Sequence, residues 1–285
     1  MAKQHRYIVS REQVMEKLKG KEPVVLADCR FQLGQSHSGR EAYTAGHLPG
    51  AVYFDLEEEL SGPVGEHGGR HPMPDLGVLV LKLGEQGIDR DTTVIAYDDQ
   101  GGAMAARFWW LLRFLGHEKV YLLDGGYSGW VQAGLPVSSE PAAPVKPKVF
   151  GPRVQNRMLV VMEDVREKLE WPGTVLIDSR EPKRYRGEEE AIDKKAGHIP
   201  GAQNRFWKDN LGTDGLWLSP EELKERFDGI YPDQEIIVYC GSGVTACPNL
   251  LALAEAGRED AKLYLGSWSD WISHGDNPIA VGDEV

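Results

Sequence analysis

The sequence lacks the features that mark membrane, secreted and nucleic-acid-binding proteins. No apolar run approaches the roughly 20 residues that span a bilayer, and the start, Met1–Tyr7, has no apolar stretch typical of a secretory signal. A net charge of −12 argues against nucleic acid as a partner, because phosphate binding needs clustered lysine and arginine. We therefore expect a cytoplasmic protein that binds neither membrane nor nucleic acid.

Cysteine is also scarce. Three cysteines, Cys29, Cys240 and Cys247, are too few and too odd in number for a disulfide framework, so each is considered as a single thiol. No set of cysteine, histidine and carboxylate residues has the spacing of metal ligands. The sequence therefore predicts no metal and no other cofactor.

What the chain does contain is an internal repeat. Four short blocks recur in the same order, at offsets between about 140 and 150 residues. The paired blocks are Val24–Arg30 with Val175–Arg180, Gly46–Ala51 with Gly197–Ala202, Val94–Asp98 with Ile236–Cys240, and Leu123–Trp130 with Tyr264–Trp271. A length of 285 residues is also that of about two ordinary domains. We interpret the chain as an internal duplication.

The segment between the two copies has a different composition. Residues 135–148 carry four prolines and no periodicity, and proline favours extended backbone while donating nothing to a strand ladder. This composition predicts a semi-rigid linker. The expected domains are therefore residues 1–135 and 153–285, with the linker at 136–152.

Apolar runs of strand length alternate with helical patterns in both halves. The strand-like runs are Val24–Ala27, Val94–Tyr97, Val175–Ile177 and Ile236–Tyr239, and the helical patterns include Ala103–Leu115, Pro220–Phe227 and Pro248–Ala256. This alternation predicts an α/β fold in which each half is a mainly parallel sheet flanked by helices. Ligands of such sheets bind at the carboxyl ends of the strands. Cys240 follows one of these strands directly.

Cys240 also begins a glycine-rich loop that leads into a helix near Ala246. Gly241 and Gly243 allow the backbone to curl so that successive N–H groups point inward and form an anion-binding nest. The following helix adds the positive end of its dipole. Both features favour the thiolate over the thiol and predict a nucleophilic cysteine. The alternative is a structural cysteine packed at a strand end.

The motifs together resemble a tandem-domain rhodanese over about residues 8–280. They are the paired Asp-Ser/Cys-Arg blocks, two Gly-His-hydrophobic-Pro-Gly-Ala motifs, and Tyr-Cys-Gly-Ser-Gly-Val-Thr-Ala-Cys followed by Gly-Ser-Trp-Ser-Asp-Trp. In that family the N-terminal domain has lost its cysteine, and Asp98 stands at the position that matches Cys240. The first domain is therefore expected to be non-catalytic.

The resemblance implies a sulfurtransferase. The Cys240 thiolate would take sulfane sulfur from 3-mercaptopyruvate or thiosulfate as a persulfide and pass it to cyanide, a small thiol or a thioredoxin-like protein thiol. Thiosulfate-specific members have two cations in the loop, whereas the neutral loop here resembles that of 3-mercaptopyruvate sulfurtransferases. The backbone N–H groups expected to hold the persulfide are those of Gly241, Ser242, Gly243, Val244 and Thr245.

Supporting roles follow from the same resemblance. Ser242 would assist proton movement at the donor thiol, with His47 at the histidine position of a serine-histidine-aspartate relay. Arg184 would hold the donor carboxylate, for which a bidentate guanidinium is suited, and Trp207 would line the donor pocket.

Two positions depart from the family pattern. The second donor-binding arginine falls at Asp193, and the relay aspartate falls near Ser38, in a segment with no acid before Glu41. These departures leave a preference for thiosulfate open as the alternative.

Two other function classes and a second cysteine also bear on the interpretation of the sequence. Cysteine phosphatases carry an arginine six residues after the cysteine, and Ala246 stands there in this chain. A non-catalytic rhodanese-like binding module would account for the first half, with Asp98, but leaves the loop of the second half unexplained. For Cys247 a buried structural thiol is favoured over a redox partner of Cys240.

Overall fold

The computed structural model describes residues 5–169 and 171–283, which form two compact units. Most of the first unit comes from the N-terminal half and most of the second from the C-terminal half. Each unit also contains a short segment of the other half. Residues 211–217 belong to the first unit, and residues 63–72 belong to the second. Within the described residues, no helix is both long and apolar enough to cross a membrane.

The first unit is a parallel sheet of five strands in the order β1-β5-β4-β2-β3. Its strands are β1 (Ile8–Val9), β2 (Val24–Asp28), β3 (Val52–Tyr53), β4 (Thr93–Tyr97) and β5 (Val120–Leu123). Its helices are α1 (Arg11–Lys19), α2 (Ser38–Ala45), α3 (Leu76–Glu85), α4 (Ala105–Phe114) and α5 (Gly126–Gln132). The central strand β4 is buried along its whole length, as expected for a parallel sheet covered on both faces.

The second unit repeats this topology, with parallel strands in the order β6-β10-β9-β7-β8. Its strands are β6 (Leu159–Val160), β7 (Thr174–Asp178), β8 (Gln203–Asn204), β9 (Glu235–Tyr239) and β10 (Lys262–Tyr264). Its helices are α6 (Met162–Glu167), α7 (Pro182–Tyr185), α8 (Pro220–Arg226), α9 (Cys247–Glu255) and α10 (Ser267–Trp271), with 3-10 turns at Asn156–Met158 and Trp207–Asn210. The identical strand order confirms the duplication and the predicted α/β fold.

Local sequence signals account for the ends of several elements. Ser219 caps α8 by accepting a hydrogen bond from the Glu222 N–H at 3.3 Å, and the Glu222 carboxylate accepts one from the Ser219 N–H at 2.7 Å. This is a reciprocal capping box, with Pro220 at the first helical position. The strands and helices predicted from periodicity are all present, with ends that differ by one or two residues.

Each unit contains a buried ion pair at the carboxyl end of a strand. Arg180 donates two hydrogen bonds to the two carboxylate oxygens of Asp178, at 2.6 and 3.1 Å, and a third to the Gly197 carbonyl at 2.7 Å. Its bidentate geometry satisfies both charges away from water. The residues that make the same contacts in the first unit are Arg30, Asp28 and Gly46. These pairs tie the strand end to the Gly-His motif of each half, so the repeated motifs have a structural function.

The predicted linker does not run freely between the two halves. Ser138 pairs with His47 through two backbone hydrogen bonds of 2.8 Å, and the Lys148 N–H donates to the Gly84 carbonyl at 2.9 Å. Phe150 is buried. The proline-rich segment therefore packs along the first unit, which extends to residue 155.

Candidate active site

Cys240 lies directly after β9, next to β7 in the middle of the second sheet. Chain connections leave this part of the sheet in opposite directions, and α/β folds bind ligands at such points. Its Sγ accepts hydrogen bonds from the backbone N–H of Gly243 at 3.1 Å and of Ser242 at 3.4 Å. The residue is almost fully buried, at 1% exposure. The inward-pointing N–H groups form the anion-binding arrangement that the loop sequence predicts.

The first turn of α10 determines the orientation of the loop. Trp268 and Ser269 donate their backbone N–H groups to the carbonyls of Cys240 and Gly241, each at 3.0 Å. The Ser267 hydroxyl accepts from the Cys240 N–H at 3.1 Å and donates to the Tyr264 carbonyl at 2.9 Å. Because the carbonyls are held on α10, the N–H groups that follow face Sγ.

Two residues of this arrangement have a left-handed backbone. Gly243 has φ of +77°, and a Cβ there would lie 2.1 Å from the Leu265 carbonyl oxygen, so only glycine fits. Ser267 has φ of +56°, the one positive φ among the non-glycine residues described. Such a conformation costs about 1–3 kcal/mol and often occurs at functional sites.

The first unit contains the same nest, filled by its own side chain. Asp98, which matches Cys240, accepts backbone hydrogen bonds of 2.8–2.9 Å from four residues. The donors are Gln100, Gly102, Met104 and Ala105. Burial raises the pKa of the Asp98 carboxyl, and these N–H groups lower it, with burial prevailing. In the first unit the loop therefore surrounds a carboxylate, and in the second it surrounds a sulfur atom.

Ser242, the second residue after Cys240, is paired with a histidine that the sequence did not single out for catalysis. Its hydroxyl lies 2.8 Å from Nδ1 of His71, and both side chains are buried. His71 belongs to the segment 63–72, which comes from the N-terminal half but is part of the second unit. A serine hydroxyl in contact with an imidazole beside a cysteine is suited to moving a proton to or from a bound group.

His47, the histidine predicted for the relay, makes its contacts within the first unit. His47 is fully buried in the first unit, stacks on the Tyr43 ring at 4.0 Å, and places its ring nitrogens 2.7 and 3.0 Å from the carbonyls of Tyr43 and Glu140. His198 stacks on Tyr185 in the same way, with Nδ1 2.8 Å from its carbonyl. Because both repeats keep this contact, including the one without a cysteine, it serves the fold. The histidine at Ser242 is His71.

Two arginines lie over the loop. A Cβ on Gly241 would be 3.0 Å from Nη2 of Arg70 and 3.6 Å from both terminal nitrogens of Arg184. Arg184 donates to the Glu190 carboxylate at 2.9–3.1 Å and to Asp193 at 2.8 Å, and Arg70 donates to the other Asp193 oxygen. Burial lowers the pKa of the Arg70 guanidinium, while the charge of Cys240 acts to raise it. The absence of a side chain at Gly241 is what allows both cations to approach the loop.

Comparison with known proteins agrees with this geometry. The model of the rhodanese-like domain matches residues 10–133 and 161–274. The chain belongs to the rhodanese family. A relative named "Probable 3-mercaptopyruvate sulfurtransferase", from Pseudomonas aeruginosa, is 44% identical, with 97% of this chain and 98% of the relative covered. The thiosulfate sulfurtransferase of Bos taurus is 36% identical over 83% of this chain and 81% of its own.

A solved structure gives the same result for the fold. The 3-mercaptopyruvate sulfotransferase SseA from Escherichia coli superimposes with a TM-score of 0.79 and is 33% identical, over 92% of this chain and 99% of its own. The relatives therefore carry both donor names. The comparisons therefore show the family and the sulfurtransferase class, but they do not distinguish between the two donors.

Cys247 and Trp207 are the remaining residues that the sequence of this rhodanese singles out. The Cys247 thiol donates to the Gly243 carbonyl at 3.4 Å and is fully buried, which favours the structural reading of this cysteine. Trp207 is also buried and lies edge-on to Phe206, and its backbone N–H donates to the Ser179 carbonyl at 3.1 Å. These contacts place Trp207 in the second unit, and its role at the donor stays a prediction.

The segment that carries Arg70 and His71 is held on the second unit by several contacts. Gly68 donates its N–H to the Asp270 carboxylate at 2.7 Å, and Arg70 donates its N–H to the Ser269 hydroxyl at 3.1 Å. His67, Asp270 and His274 bring three potential metal-ligand atoms within 4.8 Å of one another, which their sequence spacing did not indicate. Asp270 already accepts hydrogen bonds from Gly68 and Tyr264. We therefore interpret this group as an anchor of the segment.

The resemblance places Arg70–Pro74 in a loop that faces the cleft but gives Arg70 and His71 no catalytic or donor-binding role, since both are remote in sequence from Cys240. A signal was nevertheless present. Arg70-His71-Pro72 lies outside the repeated blocks, in an otherwise irregular stretch rich in glycine and proline. Functional residues commonly lie on such loops.

Proposed function

We propose that this protein is a sulfurtransferase that carries sulfur as a persulfide on Cys240, with 3-mercaptopyruvate or thiosulfate as donor. The observation that supports it most directly is the hydrogen bonding of Cys240 Sγ to the Ser242 and Gly243 N–H groups. These donors would stabilise the thiolate and, after transfer, the terminal sulfur of the persulfide. The names of the relatives agree with this chemistry.

In the first half-reaction, the Cys240 thiolate attacks the outer sulfur of the donor and forms a sulfur–sulfur bond. With thiosulfate the bond between the two donor sulfurs breaks and sulfite leaves. With 3-mercaptopyruvate the carbon–sulfur bond breaks, and the carbon that is released must take up a proton to become pyruvate. In the second half-reaction an acceptor nucleophile removes the outer sulfur. Cyanide then leaves as thiocyanate, and the thiolate is restored.

The two donors differ in their need for a proton, and this makes Ser242 and His71 informative. The donor thiol of 3-mercaptopyruvate loses a proton while its methylene carbon gains one, whereas thiosulfate requires no proton transfer. The 2.8 Å contact between the Ser242 hydroxyl and His71 therefore favours 3-mercaptopyruvate. Arg184, close to Gly241, would hold the anionic group of either donor.

Small-molecule donors and acceptors are the partners of this chemistry, and a thioredoxin-like protein thiol is a further acceptor that we propose. The nucleophile must be a reduced thiol, which agrees with the cytoplasm as the compartment.

The test compares the two donors with and without the nucleophile. We expect the wild-type protein to form thiocyanate from both donors, with the higher kcat/KM for 3-mercaptopyruvate. Cys240→Ser should reduce both rates to background and abolish the added 32 Da on the peptide that contains residue 240, an increment equal to one sulfur atom. Cys247→Ser is the matched control and should keep the persulfide. Unchanged thiocyanate formation by Cys240→Ser would contradict the mechanism.

A further inference from the structure

The family pattern places two arginines nine residues apart at the donor, and this chain has Asp193 at the second position. The structure brings another arginine to the same place. Arg70 and Arg184 donate to the two oxygens of the Asp193 carboxylate, which is only 3% exposed. Asp193 thus pairs with two arginines, whereas the family pattern has an arginine at this position.

Both guanidinium groups are directed at the loop by the same set of contacts. Asp193 engages Nη1 of Arg70, while Nε and Nη2 of Arg184 are engaged by Glu190, with Nη2 also reaching Asp193. The terminal nitrogens outside these contacts, Nη2 of Arg70 and Nη1 of Arg184, lie 3.0 and 3.6 Å from the place of a Cβ on Gly241. Each guanidinium has five N–H donors, so both retain groups for a further anion.

These two arginine nitrogens lie over the residue that follows the nucleophilic cysteine. Gly241 follows Cys240 directly in the chain, and the charge of Cys240 acts on Arg70. An anion that contacts both arginines over Gly241 therefore lies beside the sulfur nucleophile. Arg70 and Arg184 are 31% and 20% exposed, respectively, so both can be reached from solvent.

We propose that Arg70 is the second donor-binding cation of this site and acts with Arg184 as a clamp for the anionic group of the sulfur donor. This inference rests on the proposed function. It defines the substrate class as small sulfur donors with a carboxylate or sulfonate-like group close to the transferable sulfur. Asp193 and Glu190 are positioning residues, because they orient the two guanidinium groups.

The test uses two alkylating reagents that differ mainly in charge. Iodoacetate carries a carboxylate next to its reactive carbon, and iodoacetamide is its neutral counterpart. The second-order rate of alkylation at Cys240 is measured for each reagent on the full chain by mass spectrometry of the peptide. The ratio of the two rates reports the anion site, while the iodoacetamide rate alone reports the reactivity of the thiol.

We expect Arg70→Gln to lower the iodoacetate-to-iodoacetamide ratio about 10- to 100-fold, the range for loss of a charge-assisted hydrogen bond. The iodoacetamide rate should change little. Arg70→Lys should recover part of the ratio, because it keeps the charge but loses the planar fork. Arg186→Gln is the matched control, since Arg186 pairs with Glu188, and it should leave the ratio unchanged.

The same variants are then assayed for sulfur transfer. Arg70→Gln should lower kcat/KM for thiosulfate and for 3-mercaptopyruvate by a similar factor. An unchanged alkylation ratio, or an equal fall in both alkylation rates, would overturn the clamp. If the ratio falls as expected while the wild-type protein forms no persulfide, the clamp holds and the proposed function fails.

Discussion

Asp98 and Cys240 occupy matching positions in the two halves, and the proposed persulfide can form only on the cysteine. The Asp98 carboxylate fills its own nest with four backbone hydrogen bonds. Cys240 instead presents a single sulfur to two N–H groups. Because a buried anion needs such donors, the four N–H groups around Asp98 offset part of the cost of burying its carboxylate.

The pair formed by Ser242 and His71 leads to a prediction that separates the two donors. His71→Asn should lower kcat/KM for 3-mercaptopyruvate about 100-fold, within the usual range for loss of general acid–base catalysis. The value for thiosulfate should fall far less, because its transfer moves no proton. Steady-state assays with cyanide as acceptor give both values.

His47 provides the matched control for this experiment. His47→Asn should lower the melting temperature, because the stacking on Tyr43 is lost and the carbonyl that accepts from the ring N–H, that of Tyr43 or of Glu140 according to the tautomer, loses its donor at a cost of about 1–3 kcal/mol. The ratio of the two kcat/KM values should stay at that of the wild-type protein. A selective loss of 3-mercaptopyruvate activity in His47→Asn, but not in His71→Asn, would restore the original assignment.

The loop after β9 is an element whose shape depends on a close approach of backbone to backbone. Gly243→Ala would place a methyl group 2.1 Å from the Leu265 carbonyl oxygen, in a left-handed conformation. We expect a loss of about 3 kcal/mol or more in the free energy of unfolding, because both strain and a steric clash act. The rate of persulfide formation should also fall by at least about tenfold, since loss of one preorganised donor costs that much or more.

Gly257→Ala is the matched control for the loop variant. Gly257 also has a left-handed φ, of +90°, but a Cβ there would meet nothing within 4 Å. Its cost should therefore be limited to the backbone term of about 1–2 kcal/mol. Chemical denaturation compares the two variants, and equal destabilisation would show that the contact with Leu265 has no influence.

At the scale of the whole molecule, the two units each depend on a segment of the other half. Trp217 comes from the C-terminal half but is buried in the first unit, where its backbone N–H donates to the Asp124 carboxylate at 3.0 Å. Its ring lies 3.1 Å from the place of a Cβ on Gly102. The segment 63–72 supplies Arg70 and His71 to the second unit. A cut at the linker would therefore leave neither half complete.

Trp217→Ala should consequently destabilise the first unit by about 3–5 kcal/mol, the usual cost of removing a buried tryptophan. Hydrogen exchange followed by mass spectrometry should show faster exchange in β4, α4 and β5. Trp171→Ala, at a side chain that is 65% exposed, is the control and should leave these elements protected. Faster exchange confined to residues 218–283 would contradict the assignment of Trp217 to the first unit.

The duplication, the α/β fold and the position of Cys240 after a strand follow from the amino-acid sequence alone. These features depend on local signals: repeated motifs, the period of apolar residues and the glycines of the loop. Ser219 with Pro220 predicts the start of a helix, and Gly241 with Gly243 predicts a tight loop, because these residues act on the backbone of their neighbours. The buried pairs of Asp28 with Arg30 and of Asp178 with Arg180 also follow from their short separation.

The remote side chains that lie at the Cys240 loop depend on how the chain folds. His71 and Arg70 are about 170 residues from Cys240 in the chain, and no local pattern relates such positions. The motif of His47 is distinctive in sequence, whereas its contacts in the structure are a stacked ring and backbone carbonyls. Asp193 was interpreted as a lost arginine, yet it holds Arg70 beside Arg184. The residue that supplies positive charge for the donor cannot be identified from local sequence, because an arginine can reach the site from any segment that packs there.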